Sequence, residues 1–516
     1  MKKASISISI LLCIFVFLGC EDDLNLISPG EASQTIYWQQ ERDALLAVNA
    51  AYSELDGPQM VQELDAVTDI GYRASSGPGT FHDVGAGTID PVNDAITAQW
   101  SRYYRGVRKA NDVITNIDRI KLGDPKVLAR LKAEARFLRA FYYTQLSSLW
   151  GDVPLILEPL EINDHRGRDT KVEVVDFVIS ELDLIISSNA LPKSYGSTDV
   201  GRVTHGAALA LKARVALRNG RFGIARDAAQ AVMNLGVYEL YPNYGKLFQY
   251  AGKNSKEVIF DRQYTVGGNT YNAFAYSAAT IGGSSVVEPI HNLFKKYEYK
   301  GSVNPNNPYE NIDPRWNFTA YYTGQPIGNS VYNSWPDSKT TDRVSANEWA
   351  TDHGYNLKKW IDYDLDKGNP GIGAINMILI RYADVLLMYA EAKIELNELD
   401  QSVYNAINNV RGRPSVEMPP ITTGKTQAEL RKIVRNERAV ELAFEGLRLF
   451  DMNRWKIGEE KAGLVQGMYY QAQGSLNWII WNNGFIRKFR ADRDYLWPIP
   501  QVEMEINDKI SQNPNY

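Results

Sequence analysis

Histidine and cysteine are scarce in this chain, five and two in 516 residues. His82, His165, His205, His291 and His353 form no H-x-x-x-H pair and no Cys/His grouping, so nothing in their spacing supports a zinc centre. Excess positive charge is also missing: the formal net charge is -5, and loss of residues 1–19, which carry Lys2 and Lys3 but no acid, takes it to -7. A nucleic-acid partner is therefore not expected. No G-x-S-x-G nucleophile elbow is present. Gly424-Lys425-Thr426 is not a phosphate loop, because Pro419 stands where its first glycine belongs; Thr426 with Glu429 fits a helix capping box instead. Asp362, Asp364 and Asp366 open like a calcium loop, but Lys367 and Gly373 replace the glycine and glutamate that such a loop needs. The reading assigns no catalytic residue, no metal and no cofactor. What is present is an ordinary globular balance, 44% hydrophobic and 23% charged, with 30 Tyr and 11 Trp.

Residues 1–19 read as a cleaved export signal, with Lys2 and Lys3 ahead of an apolar run from Ile6 to Leu18. Thirteen helical residues span about 20 Å, short of the roughly 30 Å of a bilayer core. Phe17-Leu18-Gly19-Cys20 resembles a bacterial lipoprotein box, which makes Cys20 the expected lipidation site and residues 20–35 a lipidated tether. Cys13 would be lost on cleavage, leaving a mature chain with one cysteine and no internal disulfide.

Apolar periodicity then organises the chain. Helices are expected over Tyr37 to Leu55, Val92 to Ile120 and from Pro125 to Gly151, the last carrying Leu131, Ala135, Leu138, Tyr142 and Leu146 on one stripe. Gln59 to Asp90, rich in Gly, Ser and Asp, reads as loop. Two helical pairs are legible, Thr204 to Leu235 and from Arg381 through Val410. Equal helices with short turns resemble tetratricopeptide repeats, although any antiparallel helical hairpin shares the pattern. The expected fold is mainly α: a tetratricopeptide-like scaffold of helical pairs (36–237 and 377–516) interrupted by a loop-rich insertion at 238–376.

Between Tyr264 and Tyr363 the insertion holds 11 Tyr, 4 Trp and 3 Phe, 18 aromatics in 100 residues. Large rings can form a satellite core where regular elements are few, or they can offer stacking platforms for the flat C–H faces of sugar rings. Both readings stay open. Ligand contacts are expected at Asp69, Tyr72 and Arg73 in the loop after the first helix, and at Tyr276, Trp335 and Trp349 in the insertion. Trp100 lies on a helix beside apolar positions and reads as core. Glu437, Glu441 and Glu445 recur at i, i+4, i+8, a spacing that could serve acid/base catalysis of glycoside hydrolysis; ion pairing, with Arg438, Arg448 and Arg454 close by in sequence, is the preferred reading.

Several segments together resemble the SusD/RagB family of Bacteroidota outer-membrane lipoproteins. They are Trp100 to Asn111; Glu134-Ala135-Arg136-Phe137-Leu138-Arg139-Ala140 through Trp150-Gly151-Asp152-Val153-Pro154; Arg381 to Ala392; Asn436-Glu437-Arg438 with Phe444-Glu445-Gly446, Arg448 and Asp451 to Trp455; and Leu496-Trp497-Pro498-Ile499-Pro500 with the end at Gln512-Asn513-Pro514-Asn515-Tyr516. The resemblance implies a lipid-anchored protein on the outer face of the outer membrane. Such a protein binds oligosaccharide or polysaccharide and delivers it to a SusC-like TonB-dependent transporter, without catalysis. It also implies, as the alternative ligand, peptides; a surface glycoside hydrolase is the competing reading. The motif residues locate the fold, and ligand contacts do not carry over from the family.

Overall fold

The computed structural model of the chain describes residues 37–74, 81–160 and 164–516. The expected leader, Cys20 and the expected tether lie outside the described residues. Among the described residues, ten helices have eight or more residues: α1 (Glu41–Tyr52), α2 (Asp94–Asn116), α3 (Pro125–Trp150), α4 (Lys171–Ser188), α5 (His205–Arg218), α6 (Phe222–Asn234), α7 (Tyr382–Glu395), α8 (Gln401–Arg411), α9 (Gln427–Glu441) and α10 (Arg448–Trp455). Local chemistry sets their ends. Asp124 caps α3, with Pro125 in its first turn, and Gly151 at φ +78° ends it. Thr426 and Glu429 form the capping box expected at α9. Helix α4, not among the helices expected from apolar periodicity, starts with a second such box, Thr170 with Glu173.

Each helix packs on the next, α1 on α2, then α3, α4, α5 and α6, and the stack continues from α6 directly onto α7, then to α8 and α9. The chain between Asn234 and Tyr382 therefore loops out of an otherwise unbroken helical array. This is the mainly α, tetratricopeptide-like arrangement that the sequence indicates. Close approach of α2 to α3 is possible because Gly106 lies under the ring of Tyr142. At the far end Trp150 meets Trp100 and Trp497 edge-on, with ring centroids 5.3 and 5.2 Å away. Trp150 donates to the carbonyl of Pro498, and Asn513 donates to the carbonyls of Trp150 and Trp497, which seals the C-terminus onto α3.

Two segments differ from expectation. Gln59 to Asp90 is not simply loop: it holds a π turn (Gln59–Glu63), strand β1 (Gly71–Arg73) and a short helix (Phe81–Ala86). Met60, Val61, Leu64, Val67 and Ile70 are buried there, an apolar set hidden from periodicity by its mixed helical and extended geometry. Residues 463–487, within the stretch assigned to helical scaffold, form two nested antiparallel ladders. They pair Gly463–Leu464 with Ile486–Arg487, and Tyr469–Tyr470 with Ile479–Ile480.

A buried ionic cluster fastens the insertion to the helices. Arg381, at the start of α7, donates to Glu257, Glu441 and Glu445; Arg413 reaches Glu257 and Glu441; Arg315 reaches Asp313, Glu437 and Glu441; Lys359 reaches Glu445. The acid trio is thus fully ion-paired, as preferred, but its partners are Arg315, Arg381, Arg411, Arg413 and Lys359. Arg438 and Arg454 instead bind Asp451, and Arg448 binds Asp69. The reason is topological: Glu437 and Glu441 project from α9 toward the insertion, while Glu445 lies past the helix end in a turn where Phe444 and Gly446 both have positive φ.

Candidate functional site

Of the 18 aromatics between Tyr264 and Tyr363, nine are buried, among them Phe274, Tyr321 and Tyr332 in a satellite core of their own. The other nine keep some exposure, with Trp349 at 53% the most open. Both readings of the enrichment therefore have residues behind them.

One group of partly exposed rings lies where the insertion meets the nested ladders. Trp335 stands edge-on to Tyr470 at 5.6 Å and to Trp478 at 6.1 Å, and all three are half-buried. Trp335 is fixed from both sides: its backbone N–H donates to Asn333, and the neighbouring Ser334 hydroxyl donates to the carbonyl of Gly354. The ladders in turn are tied to the interior. Tyr469 packs against His291 and Phe294 and donates its backbone N–H to the Tyr355 hydroxyl oxygen. Trp481 donates to the carbonyl of Asp352, and Met468 N–H to the carbonyl of His353. A wall of rings held this way pays little ordering entropy when a flat ligand stacks on it.

A polar layer lies behind the wall. In the register of β1 with Val287–Pro289, Tyr72 opposes Glu288. Both Glu288 oxygens accept backbone N–H groups, from Asp352 and His353, and its carboxyl lies 3.2 Å from His353 Nδ1. Burial pushes Glu288 up to about 8 and His353 down to about 3, so at neutral pH this contact is a neutral hydrogen bond. Tyr72 closes the layer, 4.3 Å from His353 and 5.3 Å from Phe485. To one side, Glu63 joins Arg73 at 3.1 Å to the Tyr276 hydroxyl. Tyr276 also lines an open cleft of about 360 Å³ with Tyr264, Tyr271, Arg102, Arg262 and Asn272. Rings beside amide and guanidinium groups can stack on and hydrogen-bond a polyhydroxylated ligand.

The six residues singled out from sequence separate into two kinds. Trp335 joins the wall, Trp349 is open to solvent, and Tyr276 and Arg73 are linked through Glu63 beside the cleft. Asp69 and Tyr72 are corrected: at 2% and 3% exposure they face inward, Asp69 into an ion pair with Arg448 and Lys296, Tyr72 into the layer behind the wall. A polar loop composition suggested solvent there, but the pairing of β1 with Val287–Pro289 turns Tyr72 inward, and Arg448 and Lys296 draw Asp69 into the core. Tyr470, Trp478 and Trp481 were missed. The signal is in the sequence, since Tyr469, Tyr470, Trp478, Trp481 and Phe485 crowd 17 residues, but it lies well outside the aromatic-rich insertion. Trp100 and Trp316 are buried. Among the described residues no group of three or more His, Cys, Asp or Glu is placed to hold a metal ion, and no helix is long and apolar enough to cross a membrane.

Comparison with known proteins covers nearly the whole described chain. Residues 248–516 match the model of the SusD family, and residues 36–217 match a second model described as starch-binding associating with outer membrane. A SusD-like protein of Formosa agariphila is 28% identical over 542 residues, spanning 100% of both chains. A SusD-like protein of Bacteroides ovatus is 26% identical over 396 residues, 71% of this chain and 67% of that one. Among solved structures, a SusD-like carbohydrate-binding protein from Bacteroides fragilis superposes with a TM-score of 0.84 at 28% identity, over 92% of this chain and 100% of the other. The surface glycan-binding protein A of Bacteroides uniformis shares the fold, with a TM-score of 0.70 at 21% identity over 92% and 99% of the two chains.

Proposed function

This chain belongs to the SusD family, and on that premise we propose that it is a lipid-anchored protein of the outer-membrane surface that captures oligosaccharide and hands it intact to a SusC-like TonB-dependent transporter. The observation that carries the glycan reading is the anchored wall of Trp335, Tyr470 and Trp478, backed by hydrogen-bonded polar groups. Stacking on such rings tolerates many sugars, while Tyr276 and the amide and guanidinium groups of the cleft it lines supply orientation. The description of the B. fragilis relative as carbohydrate-binding supports the same ligand class. Capture without cleavage is the reading that fits the acid trio, since Glu437, Glu441 and Glu445 are all committed to buried cations.

The test is a panel of polysaccharides and peptides offered to soluble protein starting after Cys20, read by tryptophan fluorescence and by analysis for released products. Glycan-dependent quenching with no product supports the proposal. Product release would replace it with a hydrolase, and binding of peptides alone would replace the ligand. Delivery is tested separately, by co-purification of the full-length protein with a large outer-membrane barrel.

A further inference from the structure

A cavity of about 540 Å³ opens where the C-terminal ends of α3, α5 and α10 meet the C-terminal tail, among residues that the aromatic wall does not use. Its lining is rich in cations, Lys171, Arg218, Arg454, Lys456 and Arg493, against two acids, Asp152 and Asp492. Two of the cations are already neutralised, Arg454 by Glu391 and Asp451, and Arg493 by Asp494. The other three have no carboxylate within ion-pair distance among the described residues. The Arg218 guanidinium carbon lies 3.7 Å over the Phe450 ring, and one of its five N–H donors is directed toward Gln145. Lys456 rests over the ring of Tyr495 at 4.2 Å. The acids do not answer them: Asp152 accepts the backbone N–H of Lys171, and Asp492 accepts the Asn515 amide.

Helix C-termini carry partial negative charge, and Arg218 and Lys456 are well placed to offset it. Lys171 is not. It occupies the first position of α4, where the helix dipole already disfavours a cation. Burial pushes its ammonium down, and Lys456 and Arg218 push it further, partly countered by Asp152. Three cations without a carboxylate partner, converging on one open volume, make a receptor for a compact anion.

We propose that this cavity is a second binding site, specific for an oxyanion-bearing small ligand, held by Arg218, Lys171 and Lys456 with Phe450 and Tyr495 as its apolar sides. The volume is in the range of small-molecule pockets and accommodates an acidic monosaccharide as well as a free inorganic anion. The site does not depend on the glycan reading of the aromatic wall.

The test is calorimetric titration of the soluble protein at constant low ionic strength with sodium glucuronate, sodium sulfate and, as neutral control, glucose. Binding of glucuronate or sulfate, weakened at least tenfold in Lys171→Met/Lys456→Asn and unchanged in Trp335→Ala, supports the site. Preference between the two anions separates a sugar-borne carboxylate from a free oxyanion. Both substitutions leave the buried ion pairs intact, and Asn suits the left-handed backbone at 456 (φ 55°), so the variant folds for the comparison. No binding of either anion, equal binding of glucose, or anion binding that the double substitution leaves unchanged would overturn the proposal.

Discussion

Asp69 and Arg448, 379 residues apart in sequence, meet in a two-pronged ion pair of 2.7 and 2.8 Å with both side chains shielded from solvent. The contact ties the segment after α1 to α10, and Lys296 adds a third charge from the insertion. Removing one partner of a buried pair leaves the other charge uncompensated, at a cost of about 3–5 kcal/mol. Asp69→Ala is therefore expected to lower stability by that amount in urea denaturation, while the folded fraction keeps its glycan affinity. Loss of affinity at unchanged stability would make Asp69 a ligand contact after all.

The same chemistry sets the acid limit of the fold. Burial alone would raise the carboxyls of Asp69 and Glu441, but Arg448 and Lys296 hold the first, and Arg413, Arg381 and Arg315 the second, down to about 2. A carboxyl whose folded pKa lies below its unfolded value contributes stability that is complete above the unfolded value and lost as pH falls through the folded one. The melting temperature is therefore expected to drop between about pH 4.5 and pH 2. Glu441→Gln, less stable at neutral pH, should show a shallower drop across that window. An equally steep acid limb in the variant would count against this assignment.

Helix packing gives a third expectation. A Cβ on Gly106 would lie 2.4 Å from the ring of Tyr142, whose hydroxyl is held by the carbonyl of Ala51. Overpacking of this kind costs about 1–3 kcal/mol, against about 1 kcal/mol gained from alanine's better helix propensity. Gly106→Ala should therefore destabilise despite lying in mid-helix, as read by thermal unfolding. A stabilised variant would show that α2 and α3 can separate at this point.

Legibility in the sequence followed periodicity. Helices α3, α5, α6, α7 and α8 are readable because their apolar positions repeat at three and four with capped or glycine-marked ends, and the family segments implied that they belong to one helical framework. The closure of α6 onto α7 across the insertion is a long-range contact that no local pattern encodes, although the small residues Ala225, Ala228 and Ala229 on α6 suit it. At the site, Trp335 and Trp349 stood out by type and by polar surroundings. Asp69 did not reveal its burial, because its partners Arg448 and Lys296 lie hundreds of residues downstream. Tyr470 and Trp478 reach the wall through two-residue ladders, too short to leave an alternating pattern.

The central claim, that the wall around Trp335 grips glycan, is tested most directly by the dissociation constant of Trp335→Ala for whichever polysaccharide the unaltered protein binds. Truncating a central stacking ring removes about 1.4 kcal/mol or more, a loss of at least tenfold in affinity, with the melting temperature little changed because the ring is only half-buried. Affinity equal to that of the unaltered protein would contradict the account.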